Sequence, residues 1–134
     1  MKRKIPFATK QDINRLSKEK SIILFGAGNI AEKTTRIISH NKLHAIVDNS
    51  TNLEGDIQFG VEVKSPEYLK TERGKSSLII ITTTSFSDVS TQLEEIGFIP
   101  AVDFIVSPIL NDLRIISELE SIETTLMFSS GSPR

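Results

Sequence analysis

Apolar residues in this chain fall in short unbroken runs, and the stretches between the runs repeat at helical spacing. Ile22–Phe25 and Leu78–Ile81 are each four consecutive large apolar residues, the pattern of strands buried on both faces. Leu43–Val47 is mostly apolar and predicts a second buried strand ending at Asp48. Within Ile57–Val63, Gly60 breaks the run and leaves Val61 and Val63 as a short third strand. A fifth strand falls within Ala101–Val106. Between these runs lie helical signals. Thr9 and Asp12 have the spacing of an N-cap with an acid at the third helical position, and Ile13 and Leu16 then face inward, predicting a helix over 10–19. Ile30, Thr34, Ile37 and Ile38 share a helical face that ends near His40-Asn41. Ser65-Pro66-Glu67 starts a short helix that ends before Gly74. Ser85–Asp88 starts another, with Val89, Leu93 and Ile96 on one face and Gly97 as its stop. Leu113, Ile116, Leu119 and Ile122 give helical spacing to 110–122.

Strands alternating with helices predict an α/β fold: a doubly wound, mostly parallel five-stranded sheet of order 3-2-1-4-5 with helices on both faces. No helix is visible between the second and third strands. At 134 residues the chain is long enough to bury a core without disulfides or metal, and it contains no cysteine. A cytoplasmic location fits that absence. The net charge of -1 gives no footprint for nucleic acid, and the basic opening Met1–Lys4 is too short to change this. No run approaches the ~20 apolar residues of a membrane span, so no membrane partner is expected. Residues 1–122 are read as one domain. The tail 123–134 is read as the start of a further region in a longer protein, because Thr124–Phe128 turns strand-like just before the polar end.

The chemistry concentrates where the first strand ends. Ile22–Phe25 runs into Gly26-Ala27-Gly28-Asn29-Ile30-Ala31 and then into helical spacing, the setting in which a Gly-x-Gly-x-x-Gly/Ala turn holds a pyrophosphate. Gly26 permits the tight turn, Gly28 lets backbone approach a phosphate, and Ala31 lets helix and strand pack closely. The amides at the helix start, with the positive end of its dipole, face the anion. Asp48 lies twenty residues after Gly28 at a predicted strand end, where an acid accepts hydrogen bonds from a ribose diol. The alternative is a loop carboxylate in an Asx turn with Asn49. Asn49 and Ser50 follow with no cation for a 2′-phosphate, which favours NAD over NADP. Thr82, Thr83, Thr84 and Ser85 stand at the carboxyl end of the fourth strand, beside the expected crevice. They either meet phosphate or ribose, or simply finish the strand and cap the next helix.

No catalytic set accompanies these signals. Gly74-Lys75-Ser76 imitates the end of a phosphate-binding P-loop, but Leu69 stands where the first glycine belongs and the piece precedes a strand. His40 and His44 have no acid pattern of a metal site near them, and no metal is expected. Tyr68 is followed four residues on by Glu72, so the Tyr-x-x-x-Lys pair of short-chain dehydrogenases is missing.

Residues 23–31, with Ile46-Val47-Asp48-Asn49, 60–69, 78–82 and 92–98, resemble the small Rossmann-like nucleotide-binding modules of bacterial nucleotide-sugar and polysaccharide biosynthesis proteins. The resemblance covers about three-fifths of the chain. It implies NAD or another nucleotide at Gly26, Gly28, Asn29, Ile30 and Asp48, a nucleotide or nucleotide sugar as partner, and a catalytic region elsewhere in a longer polypeptide. It leaves a homo-oligomer open. Two alternatives stand beside the binding module: an NAD-dependent oxidoreductase, dehydratase or epimerase acting on a nucleotide sugar, and a degenerate Rossmann domain serving protein assembly. The isolated chain, with no recognisable proton-transfer pair, is not expected to turn over.

Overall fold

The computed structural model describes residues 5–111. A helix α1 (Lys10–Leu16) opens the fold, capped by a reciprocal box in which Thr9 and Asp12 satisfy each other's backbone N–H. Six strands follow: β1 (Ile22–Phe25), β2 (Leu43–Val47), β3 (Ile57–Gln58), β4 (Val61–Lys64), β5 (Leu78–Ile81) and β6 (Phe104–Val106). Their order across the sheet is β3-β4-β2-β1-β5-β6. Every pairing is parallel except β3 with β4. The five parallel strands therefore stand in the expected 3-2-1-4-5 order. The sheet has six strands rather than five, however, because Ile57–Val63 is not one broken run. Phe59 and Gly60, at φ 54° and 82°, form the two-residue turn of an antiparallel hairpin that adds β3 outside β4.

Alternate residues of each strand feed two cores. Ile23, Phe25, Val47, Ile79, Ile81, Phe104 and Val106 pack with Leu69 and with Val89 and Leu93 of α4 (Phe86–Ile96) on one face. Ile22, Leu24, Ile46, Val63, Leu78, Ile80 and Ile105 pack on the other face with Ile13 of α1 and Ala31 of α2 (Asn29–Thr35). The sheet is thus covered on both sides, which is why its central strands carry continuous rather than alternating apolar sequence.

Several boundaries differ from expectation. The first helix ends at Leu16 instead of continuing to 19, and the second ends at Thr35 instead of near His40. In the second case the hydroxyls of Thr34 and Thr35 bond back to the carbonyls of Ile30 (2.7 Å) and Glu32 (2.5 Å), offering those carbonyls partners other than the next helical amides. Ser65-Pro66 starts a 3₁₀ turn, Pro66–Lys70, and not an α-helix. Gly74 lies inside the short helix α3 (Glu72–Lys75) instead of terminating a helix. A Cβ there would collide with the Tyr68 carbonyl oxygen and lie 2.8 Å from Leu69 Cα, so the residue allows α3 to press against the preceding turn. Between β2 and β4 the connection holds only a 3₁₀ turn at Thr51–Leu53 and the hairpin. The helical spacing of 110–122 beyond residue 111, and the tail 123–134, lie outside the described residues.

Candidate functional site

β1 is flanked by β2 on one side and β5 on the other, so the chain leaves the sheet in opposite directions from neighbouring strands. A crevice opens at the carboxyl ends of such strands, at the point where the winding reverses. The Gly26–Gly28 turn lies in that crevice. Gly26 donates its N–H to Val47 C=O (2.8 Å), and its own carbonyl accepts from the Thr82 hydroxyl (2.6 Å). Its φ of 125° suits glycine, and a Cβ would stand 2.9 Å from the Thr82 carbonyl oxygen. The turn is therefore wedged between the ends of β2 and β5. Gly28 is its opposite: φ is 155°, and a Cβ there would meet nothing within 4 Å. The backbone at Gly28 faces open space.

Gly28 is also the N-cap of α2, and its carbonyl accepts from Glu32 N–H at 2.9 Å. The amides of the first turn of α2 have no intrahelical acceptor and stand at the positive end of the helix dipole. A cleft of about 220 Å³ lies over them, lined by Gly26, Ala27, Gly28, Asn29, Ile30, Asp48, Thr82, Thr83 and Thr84. Nine of the eleven expected site residues thus share one concavity.

Asp48 stands at the end of β2 with its carboxylate turned back on the turn. Oδ2 accepts from Ala27 N–H (2.8 Å) and Oδ1 from Ser50 N–H (2.8 Å). The second bond is an Asx turn, so the alternative weighed for this residue is part of what it does. An ionised carboxylate has about four acceptor sites, and two bonds leave each oxygen able to accept another. The N–H of Ala27, in contrast, is already engaged by Asp48.

The hydroxyl cluster divides into separate roles. Thr82 is 3% exposed and clamps the floor of the cleft through Gly26. Thr83 accepts from Ser85 N–H (3.2 Å), ordering the entry into α4, and Thr84 lines the mouth. Ser85 is the exposed N-cap of α4, with no side-chain capping bond, and is not in the cleft lining. Asn49 also lies outside the lining. Its amide pairs across the crevice with Gln92 of α4, a residue that the sequence pattern does not single out because it lies forty-three positions away on a polar helix face. A second groove of about 490 Å³, lined in part by Gln92 itself, runs between α4 and the Pro66–Lys70 turn.

The two histidines lie elsewhere. His40 is exposed. His44 is half-buried on β2 and hydrogen-bonded to the Tyr68 hydroxyl, and the Lys64 ammonium sits 4.8 Å from the Tyr68 ring centroid. Burial, followed by the charges of Arg73 and Lys64, holds His44 below the ordinary histidine value. Among the described residues no cluster of three or more His, Asp or Glu is placed to hold a metal, and no helix is long and apolar enough to cross a membrane.

No protein-family model matches the chain, and no curated protein sequence matches it. Solved structures do. UDP-D-quinovosamine 4-dehydrogenase from Vibrio fischeri superimposes with a TM-score of 0.54 at 17% identity, covering 73% of this chain and 85% of that one. RSP, a Rex-family repressor solved in complex with β-NAD+ and operator DNA, gives a TM-score of 0.50 at 20% identity, covering 93% of this chain and 70% of that one. At such identities the likeness is one of backbone architecture. With the parallel order about β1 and the glycine turn at its end, it identifies the fold as Rossmann-like.

Proposed function

We propose that this chain is a nucleotide-binding module that takes NAD, or another nucleotide with free ribose hydroxyls, at the Gly26–Gly28 turn. The observation that carries the proposal is the open backbone at Gly28, set at the switch point between β1 and β5 and facing a cleft edged by Asp48 and Thr84. A pyrophosphate would lie against the amides of Asn29 and Ile30, where the α2 dipole favours an anion. The unused lone pairs of Asp48 would take the ribose diol, and its negative charge would oppose a 2′-phosphate. The two fold relatives support this reading, one being named for a UDP-sugar and the other solved with β-NAD+.

A place as the N-terminal domain of a sugar or polysaccharide biosynthesis protein belongs to the same proposal. So does a binding role without catalysis by this chain alone. Asp48 is the sole titratable side chain of the cleft lining, and both of its oxygens are occupied by backbone N–H groups. Those same bonds favour a second reading, a Rossmann core retained for assembly, in which Asp48 serves only to clasp its own loop. At a net charge of -1 the chain is proposed to have no nucleic-acid partner.

Amide-resolved NMR titration with NAD, NADP and UDP separates these readings. The nucleotide module predicts saturable shifts at Gly26, Gly28, Asn29, Ile30 and Ser50, with NAD binding more tightly than NADP. Equal affinity for NADP would show that Asp48 does not face the ribose. No shifts at millimolar nucleotide would leave the assembly reading standing.

A further inference from the structure

Asn49 follows Asp48 at the carboxyl end of β2, and Gln92 projects from the middle of α4. Their amides meet reciprocally: Asn49 Nδ2 donates to Gln92 Oε1 at 3.1 Å, and Gln92 Nε2 donates to Asn49 Oδ1 at 3.0 Å. A primary amide carries two N–H donors and two acceptor lone pairs, and this ring of two bonds uses one donor and one lone pair from each partner. An acceptor and a donor then remain side by side on each edge of the pair. Asn49 Oδ1 stands beside Gln92 Nε2 on one edge, and Gln92 Oε1 stands beside Asn49 Nδ2 on the other. That arrangement complements a nucleobase edge, where a ring nitrogen or carbonyl acceptor adjoins an N–H donor, as N7 adjoins N6–H in adenine.

Two further facts favour this use. Asn49 is exposed and Gln92 half-exposed, so an incoming base can reach them. Each side chain also holds the other's rotamer, which removes part of the ordering cost that binding would otherwise carry.

We propose that Gln92, together with Asn49, reads the base of the bound nucleotide, so that the ligand is a nucleoside diphosphate or dinucleotide whose base has an unblocked donor–acceptor edge. The inference rests on the nucleotide reading above, with Asp48 at the ribose and the base one residue further along the chain.

Calorimetric titration of the full chain tests it, using ADP, UDP and the base-less probe ribose 5-phosphate. Gln92→Leu keeps a strong helix former on a half-exposed helical face, and Asn49→Ala in the loop provides a second variant. Each should weaken binding of the preferred nucleotide by roughly tenfold, as loss of one net hydrogen-bonded contact implies, and leave ribose 5-phosphate unchanged. ADP dimethylated at N6, which has lost that donor, should bind the parent roughly tenfold more weakly than ADP where ADP is the preferred nucleotide, and equal affinity of the two for the parent would overturn the reading of that edge. Undiminished nucleotide affinity in both variants would place the base elsewhere and overturn the proposal. Tighter binding in both variants would overturn it too, showing the amide pair to be a latch that the ligand must open. If the parent binds ribose 5-phosphate as tightly as either nucleotide, the phosphate site stands and the base-reading proposal falls. If the parent binds none of the three, the nucleotide reading itself fails and this inference falls with it.

Discussion

Gly26→Ala tests the packing on which the cleft depends. Two costs combine at this position. An alanine at φ 125° occupies backbone space that L-residues rarely enter, which costs about 1–3 kcal/mol. Its Cβ would also stand 2.9 Å from the Thr82 carbonyl oxygen, 3.1 Å from the Thr82 carbonyl carbon and 3.1 Å from Thr82 Oγ1. Two of those three neighbours are backbone atoms of Thr82, the residue directly after β5, held in place by the Thr82 N–H bond to Phe25 C=O at 2.9 Å. They cannot rotate away as a side-chain tip would, so overpacking adds about 1–3 kcal/mol. Less chain entropy in the unfolded state returns about 0.4–1 kcal/mol. The net expectation is a loss of roughly 3 kcal/mol, equivalent to a fall in Tm of roughly 10–20 °C for a domain of this size. Gly28→Ala is the internal control, since it shares the strained backbone and meets nothing within 4 Å. Urea denaturation of the parent and both variants should place Gly28→Ala between the other two. Unfolding free energies of the two variants that agree within about 0.5 kcal/mol, the usual scatter for surface substitutions, would refute the claim that the end of β5 closes on the turn at Gly26.

Asp48→Ala should lower stability even without nucleotide, because it removes the acceptor shared by Ala27 and Ser50. A loss of about 1–3 kcal/mol is expected for two partly exposed charge-assisted bonds, measured by thermal denaturation, and an unchanged Tm would show that they contribute nothing. For His44, a folded-state value held below the ordinary 6.5 means that the unfolded chain takes up the proton first. Its contribution is therefore complete above the ordinary value and is lost as pH falls from there through the folded one. The groups facing it, Tyr68, Lys64 and Arg73, offer no carboxylate to reverse that sign. Denaturation midpoints of the parent should fall between about pH 7.5 and pH 5, and His44→Gln should flatten that slope; an identical slope in the variant would assign it to other groups.

The periodicity of apolar residues was sufficient to predict a doubly wound, mostly parallel α/β sheet, and the Rossmann-like resemblance came with the glycine turn and Asp48. Ile22–Phe25, Leu43–Val47 and Leu78–Ile81 are short apolar runs of the kind that strands covered on both faces carry, and their alternation with helical stretches points to parallel crossovers. The glycine turn was legible for the same reason, since Gly26 and Gly28 directly follow a buried strand. Asp48 was legible from its spacing at the end of the next strand. Local chemistry near Thr34 and Thr35 was harder to read, because two hydroxyls compete with the helical ladder and apolar spacing does not register that competition. The hairpin at Phe59-Gly60 was hidden as well, because a two-residue β3 gives too short a pattern to count as a strand.

Long-range placement belonged to the tertiary structure alone. Only the fold brings Thr82 within 2.6 Å of the Gly26 carbonyl, and that contact separates its role in the floor from that of Thr84 at the mouth. Only the fold joins Asn49 to Gln92 across forty-three residues. It also turns Asp48 inward onto Ala27 and Ser50, so that the acid expected to face a ligand first holds its own loop. A one-dimensional pattern records which face each residue presents, and this fixes the layers of the fold. Contacts between strand ends depend on how those layers twist and register against each other, and that is settled only when the whole sheet closes.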